Sequence, residues 1–465
     1  MPLSISREAP GTQFLSRRRL FPFVAALLVP ALAACLGVAL IVLHIPVLYV
    51  LGGVVGAILA GFALLNPLWS FYLLAATFSA ESLLGFTSGL TATKLLGGLT
   101  IFSWLIAVLM GREFRPPRAA VLFVAPAFLL WGLVSLLAVE RLSLGIGKLT
   151  TIALLLVLVF VTASVVRSRR DAERLAWVLL ITTLISVQYG ILHYSVGASA
   201  SLEGLSKSRN SIGLFIAMCV PLVVYFYARS RLPVRICLIA VGAMLLLGEV
   251  LSYSRGGFIL FLTALLLSFL LLARGSRVRL GLQMAALVML SFYAVPDNYM
   301  TRLKTIVPSV ETGTDTMGLR YQLWGISVRM IRDHPILGVG PGNYLQQFMR
   351  YGGTLGLRRT PLVSHNSYLS VSVELGLVGG ALFIIIILVS LLTFLSVRRR
   401  ALACGDHSLA HLSSSFAISL VLFAICGTKG SLEDFKYLWM LFGLSAAMAG
   451  ILARQEPAAA PLSPQ

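Results

Sequence analysis

The chain has 465 residues, 58% of them hydrophobic and only 12% charged, with a formal net charge of +20. It is too apolar and too long for one soluble core and fits a polytopic membrane protein. So basic a chain suggests a nucleic-acid binder, but its Lys and Arg residues are spread over alternate loops between apolar runs, which argues against that class.

At the N-terminus, Arg17, Arg18 and Arg19 precede an apolar stretch, and Leu32-Ala33-Ala34-Cys35 gives the outline of a lipoprotein signal. The apolar run continues through Leu43 without a polar tether, so a first spanning helix is expected there in place of a cleaved signal. Apolar runs of about 17–25 residues, the length that crosses a bilayer as helix, are read at 21–43, 46–65, 67–84, 92–110, 119–138, 148–166, 175–195, 210–228, 235–252, 257–273, 280–295, 366–396, 409–427 and 436–453. The first three are closely spaced, which makes the expected number about twelve to fourteen. Basic clusters fall in every second loop: Arg17–Arg19; Arg112, Arg115 and Arg118; Arg167, Arg169, Arg170 and Arg174; Arg229, Arg231 and Arg235; Arg274, Arg277 and Arg279; and Arg398–Arg400. By the positive-inside rule these loops and both termini are cytoplasmic, and the remaining loops face outward. The chain then divides into a cytoplasmic start (1–20), a first set of spans (21–295), a large outer loop (296–364), C-terminal spans (365–454) and a disordered Pro- and Ala-rich tail (455–465). Cys35, Cys219, Cys237, Cys404 and Cys426 form no CxxC pair and mostly sit in apolar runs, as small core residues do.

The outward features follow in chain order. Arg209, in Ser208-Arg209-Asn210, opens a span. Arg255, in Ser252-Tyr253-Ser254-Arg255-Gly256-Gly257, lies between two spans with almost no loop, and the glycines are expected to clear space around it. Glu249 is close enough in sequence to pair with Arg255. Each arginine can be read as a snorkelling anchor or, if several converge, as one fork of a pyrophosphate clamp. The loop 296–364 is too long for a structureless connection and is expected to carry function. In it Leu319, Leu323, Ile326 and Met330 recur at helical spacing, with Trp324 and Ile331 widening the stripe. Asp315 or Thr316 can cap this helix and Pro335 stops it near His334. The pattern predicts an amphipathic helix on the outer membrane surface, flanked by Arg320, Arg329 and Arg332. Gly338-Val339-Gly340-Pro341-Gly342 reads as a loop, since no βαβ unit surrounds it.

His365-Asn366-Ser367 then places an imidazole at the mouth of a long apolar helix, with Gly376 and Gly379 as a helix-packing motif below it. His365 is either a general base, with an ordinary pKa near neutrality, or a structural histidine bonded to a loop carbonyl. HExxH, Asp-x-Asp, His/Cys ligand clusters and GxSxG are all missing from the sequence, so no metal or other cofactor is expected. A histidine base with arginine clamps is the simplest chemistry left.

Four stretches together resemble the O-antigen ligase/polymerase superfamily of bacterial envelope glycosyltransferases. They are Ser208-Arg209-Asn210 through Pro221; Ser252 through Gly257; Arg320 and Trp324 through Asp333-His334-Pro335-Ile336-Leu337-Gly338-Val339-Gly340; and His365-Asn366 followed by Gly376 and Gly379. The resemblance covers roughly 200–380, and the first 200 residues match only in hydropathy. It implies an all-α, GT-C-like membrane fold in the bacterial inner membrane, acting at the periplasmic face without metal or nucleotide sugar. The implied partners are an undecaprenyl-pyrophosphate-linked glycan donor, a periplasmic acceptor such as lipid A–core, and membrane lipid. By the same resemblance His365 is the catalytic base, and Arg209, Arg255 and Arg320 bind the donor pyrophosphate and stabilise the leaving group. Ligation onto lipid A–core is the leading expectation. Chain polymerisation and transfer to protein Ser/Thr are the alternatives within the superfamily, and non-enzymatic transport of lipid-linked glycan is the alternative outside it.

Overall fold

The computed structural model describes residues 61–62, 64–79, 85–87, 90–111, 117–195, 201–206, 208–272, 316–352 and 362–455. The expected spans 21–43 and 280–295, nearly all of 46–65, the basic clusters 17–19 and 274–279, and the tail 456–465 lie outside these residues. Among the described residues, ten helices are long and apolar enough to cross a membrane, as a polytopic all-α membrane protein requires. They are α2 (Ala92–Leu109), α3 (Val121–Ser135, prolonged by a 3₁₀ turn), α4 (Leu142–Val165), α5 (Arg169–Ser195), α6 (Arg209–Arg229), α7 (Leu232–Leu251), α8 (Arg255–Leu272), α11 (Ser367–Ala403), α12 (His407–Gly427) and α13 (Lys436–Gln455). Three shorter helices complete the set: α1 (Pro67–Ala76), α9 (Thr316–Asp333) and α10 (Tyr344–Tyr351). The span expected at 67–84 is only ten residues of helix, followed by a small hairpin of β1 (Gly85–Thr87) and β2 (Leu90–Thr91).

The helices sort into inner and outer positions by composition. Of the spanning windows, 83% of α13 is buried but only 22% of α2. Lipid tails are as apolar as leucine, so close packing rather than hydrophobicity selects the inner helices. Small residues do this here. On α12, Ser413, Ser414, Ser415 and Ser419 are fully buried, and each hydroxyl donates to a backbone carbonyl. On α13, a Cβ at Gly443 would collide with the Val159 carbonyl of α4, so glycine lets the two backbones meet. Among the described cysteines no disulfide forms; Cys219 is buried, but Cys237 and Cys404 are exposed rather than in the core.

Two expectations change. The amphipathic helix is present as α9, but its apolar stripe does not face lipid. Leu323, Ile326 and Met330 are fully buried against Val339, Tyr344, Phe348 and Val373, forming a second small core. The segment after α9 supplies an apolar partner within the chain, which outcompetes the membrane surface. The long apolar helix α11 is also not continuous. It breaks at Gly376, whose φ of 69° and ψ of −178° are outside the helical region and natural only to glycine. A Cβ there would overlap the Ile336 carbonyl oxygen. Gly376 is therefore a helix breaker seated on the 334–342 turn, and Gly379 sits against the side chain of Leu375 across the break, in place of a Gly-x-x-Gly face for another helix.

Several backbone groups that the break frees find partners within the chain. The Val339 N–H donates to the Val373 carbonyl at 2.8 Å and the Leu377 N–H to the Pro335 carbonyl at 2.8 Å. Trp131 Nε1 donates to the Leu375 carbonyl at 2.8 Å, and Ser135 Oγ donates to the carbonyls of Leu337 and Glu374. Irregular backbone at membrane depth is tolerated only when satisfied in this way. Lys148 of α4 reinforces the break, with Nζ 2.6 Å from Asp434 Oδ2 and 3.9 Å from Glu374 Oε2.

Candidate functional site

The break shapes the mouth of α11, where His365 sits. Asn366 caps the helix, its side-chain oxygen accepting the N–H groups of Tyr368 and Leu369 at 3.0 and 3.1 Å. Ser364 accepts from the Asn366 N–H and donates to the Asn366 carbonyl. Trp324, from α9, donates its indole N–H to the Ser364 carbonyl at 3.1 Å. Below the mouth, Ser367 Oγ donates to the Gly430 carbonyl and accepts from the Leu432 N–H, fastening the loop between α12 and α13 to the same helix start. His365 is held between these anchors with a φ of 50°. Among the described residues only Tyr253 (φ 52°) shares a positive φ outside glycine, and it lies two residues before Arg255. Such backbone strain costs on the order of 1–3 kcal/mol and concentrates at functional sites.

Arg320 lies one turn before Trp324 on α9, so the helix that clamps Ser364 also carries Arg320 to His365. Burial lowers the His365 pKa, and the Arg320 charge lowers it further, so the imidazole is the neutral, proton-accepting form at neutral pH. Burial also lowers the Arg320 pKa; the Cys426 sulfur opposes that and the Arg255 guanidinium adds to it. Arg320 Nε is buried and has no hydrogen-bond partner among the described residues. Arg320, on α9, is thus within electrostatic reach both of Arg255 at the start of α8 and of His365 at the mouth of α11.

The Arg255 turn is built by its serines. Ser252 Oγ donates to the Glu249 carbonyl and accepts from the Ser254 N–H, while Ser254 accepts from the Gly257 N–H at the start of α8. Ser254 Oγ also donates to Asn210 Oδ1 at 3.0 Å, which joins the starts of α6 and α8. Arg209 stands beside that joint with an exposed side chain, and among the described residues no hydrogen bond or ion pair links it to the other three. Glu249 is not the partner of Arg255. It is fully buried, and neither carboxyl oxygen has a hydrogen-bond partner among the described residues. Gly257 makes room for this carboxyl and not for the guanidinium, since a Cβ there would collide with Glu249 Oε1; a Cβ at Gly256 would meet nothing within 4 Å.

His334, just past the end of α9, accepts through its carbonyl the N–H of Gly338, and the Val339 N–H donates to the Val373 carbonyl of α11, so the start of the 338–342 run is a turn tied to its own surroundings. Asn366 and Trp324 were the residues to add from sequence: the cap pattern ahead of an apolar run marks Asn366, whereas Trp324 reads as part of an apolar stripe until the structure shows its N–H at work. Among the described residues no group of three or more His, Cys, Asp or Glu side chains is arranged to hold a metal ion.

At the opposite end of the bundle the basic loops gather. Arg169 lies 3.4 Å from Glu173 and 3.5 Å from Asp406, Arg229 hydrogen-bonds Ser408, and Arg454 donates to the Arg167 carbonyl.

Residues 240–384 match the model of the O-antigen ligase family. That stretch holds Arg255, Arg320, His365, Gly376 and Gly379, while Arg209 precedes it. No curated protein matches the chain.

Proposed function

We infer that this chain, a multi-pass membrane enzyme of the O-antigen ligase-like superfamily, transfers a glycan from undecaprenyl pyrophosphate to a hydroxyl acceptor on the outer face of the bacterial inner membrane, the acceptor being lipid A–core. The observation that carries this reading is the placement of Arg320, brought to the mouth of α11 by the Trp324–Ser364 bond and lying within electrostatic reach of both His365 and Arg255. The positive-inside rule assigns the opposite, arginine-rich end to the cytoplasm, which turns this cluster toward the periplasm.

In this reading the acceptor hydroxyl gives its proton to the neutral imidazole of His365 as its oxygen attacks the anomeric carbon of the donor. The bond from that carbon to the pyrophosphate oxygen breaks, and undecaprenyl pyrophosphate leaves with the electron pair. Arg255 and Arg320 lie where that negative charge grows. Two guanidiniums held close together repel each other, and a pyrophosphate between them removes that cost. Arg209, exposed at the neighbouring helix start, is assigned to the outer edge of the same donor site. The transporter alternative calls for paired broken helices whose freed backbone lines a substrate path. The break at Gly376 supports an enzyme instead, because the chain's own turn consumes the freed groups.

The test is His365→Ala in a host that makes a visible polysaccharide ladder on its lipopolysaccharide. Loss of a general base costs about 10²–10⁴-fold in rate, so the ladder is expected to vanish while lipid-linked glycan accumulates. A ladder of normal intensity sinks the catalytic assignment, and retention of single-repeat caps reassigns the chain as a polymerase. With purified protein and lipid-linked donor, a chelator is expected to leave the rate unchanged.

A further inference from the structure

A second site lies at the end of the bundle away from His365. There a cavity of about 360 Å³ opens between the start of α3, the last turns of α11 and the end of α13. Arg118 and Arg400 line it, Ser396 adds a hydroxyl, and Leu392 and Leu452 form apolar walls. Ala119 and Ala120 belong to the same wall, at a helix start without a side-chain cap, which adds the positive end of a helix dipole to the two guanidiniums. From the cavity an exposed apolar stripe runs along α11 through Leu392, Leu388 and Ile385, three residues at helical spacing on a lipid-facing surface.

We propose that this cavity binds an anionic phospholipid, its phosphodiester held by Arg118 and Arg400 and an acyl chain lying along Leu392, Leu388 and Ile385. The charge of the pocket selects an anion, since a planar guanidinium fork matches phosphate oxygens. Its apolar continuation selects a ligand with a hydrocarbon tail over a free anion. Its place among the basic loops matches the level at which lipid head groups meet the ends of spanning helices. The pocket is separate from the transfer chemistry, because the length of α3 and the stretch of α11 from Leu377 to Leu388 lie between it and the break beside His365.

Native mass spectrometry on the detergent-purified full-length protein tests this directly. The protein is titrated with phosphatidylglycerol and, in parallel, with phosphatidylcholine of the same acyl chains. Wild type is expected to retain phosphatidylglycerol roughly tenfold better, the scale set by two basic side chains at an anionic head group. Arg118→Gln/Arg400→Gln is expected to lose that preference while keeping the baseline for phosphatidylcholine. Equal retention of both lipids by wild type, or an undiminished preference in the double variant, overturns the proposal. Arg231→Gln, an exposed arginine at the same end, is expected to keep the preference; if it loses as much as the double variant, the attraction is diffuse and the site is refuted. If the double variant aggregates, the two single variants are measured instead, and an unchanged preference in both overturns the assignment.

Discussion

The basic-loop end of the bundle and the His365 cluster handle positive charge in different ways. At the basic-loop end, arginines meet carboxylates: Arg169 with Glu173 and Asp406, and Arg174 with Asp171 at 3.9 Å. At the His365 end, Arg320 is set beside Arg255 and His365, and among the described residues no carboxylate forms an ion pair with Arg320 or His365. Paired charges stabilise their own arrangement. A cluster of like charges cannot hold itself together. Something other than mutual attraction must hold it. The holding is done by neutral contacts: Trp324 on Ser364, Asn366 on the start of α11, Ser254 on Asn210, and the turn seated in the Gly376 break.

Removing that neutral frame is expected to have the largest effect. Gly376→Ala places a methyl group on the Ile336 carbonyl oxygen and forces alanine to a φ of 69°. Backbone strain and overpacking each cost on the order of 1–3 kcal/mol, so a loss of about 2–6 kcal/mol is expected. Thermal unfolding in detergent measures it, and transfer activity is expected to fall with it because the mouth of α11 is displaced. A melting curve superimposable on wild type means the break is not needed to hold the site.

Changing one charge inside the cluster sharpens the comparison through pH. The His365 pKa is lowered by burial and then by Arg320. A base works only when unprotonated, so the rate rises with pH through that pKa. Arg320→Gln removes the second cause and leaves the first, so the His365 pKa rises and the acidic limb of the pH–rate profile moves to higher pH. Single-turnover transfer at saturating donor separates this shift from weakened donor binding. A limb that stays in place, or moves to lower pH, places Arg320 out of reach of His365.

Much of the fold was legible in sequence because membrane proteins write their spans as apolar runs. Ten of the expected runs correspond to helices among α2–α13, with ends shifted by a few residues where a span carries polar positions such as Lys148. His365, Arg255 and Arg320 could be singled out as charges with no topological purpose, but nothing in their spacing states that α9 packs beside the mouth of α11 or that Arg320 comes within electrostatic reach of Arg255. The sites misread share one cause. The stripe of Leu323, Ile326 and Met330 looks the same whether it faces lipid or protein, and Gly376 with Gly379 looks the same in a packing face or a break. Periodicity reports that a face is apolar and not what covers it. Glu249 fails for the complementary reason: proximity to Arg255 in sequence did not become a bond, because the carboxyl turns into the space left by Gly213 and Gly257.

The smallest effect is expected from the paired end. Arg169→Gln removes contacts to Glu173 and Asp406, but the Arg169 side chain is 34% exposed and water screens both pairs. Asp406 keeps its other task, accepting the Ser408 and Leu409 N–H groups at the start of α12, so no buried group is stranded. Exposed pairs of this kind contribute roughly 0–1 kcal/mol, and the unfolding midpoint is expected to shift by little more than measurement error. Transfer is expected to continue at the wild-type rate with an unchanged pH profile, since this arginine stands at the far end of the bundle from His365. If Arg169→Gln slows transfer as far as Arg320→Gln does, charge at the two ends is not serving two purposes, and the assignment of the like-charged cluster to donor binding loses its support.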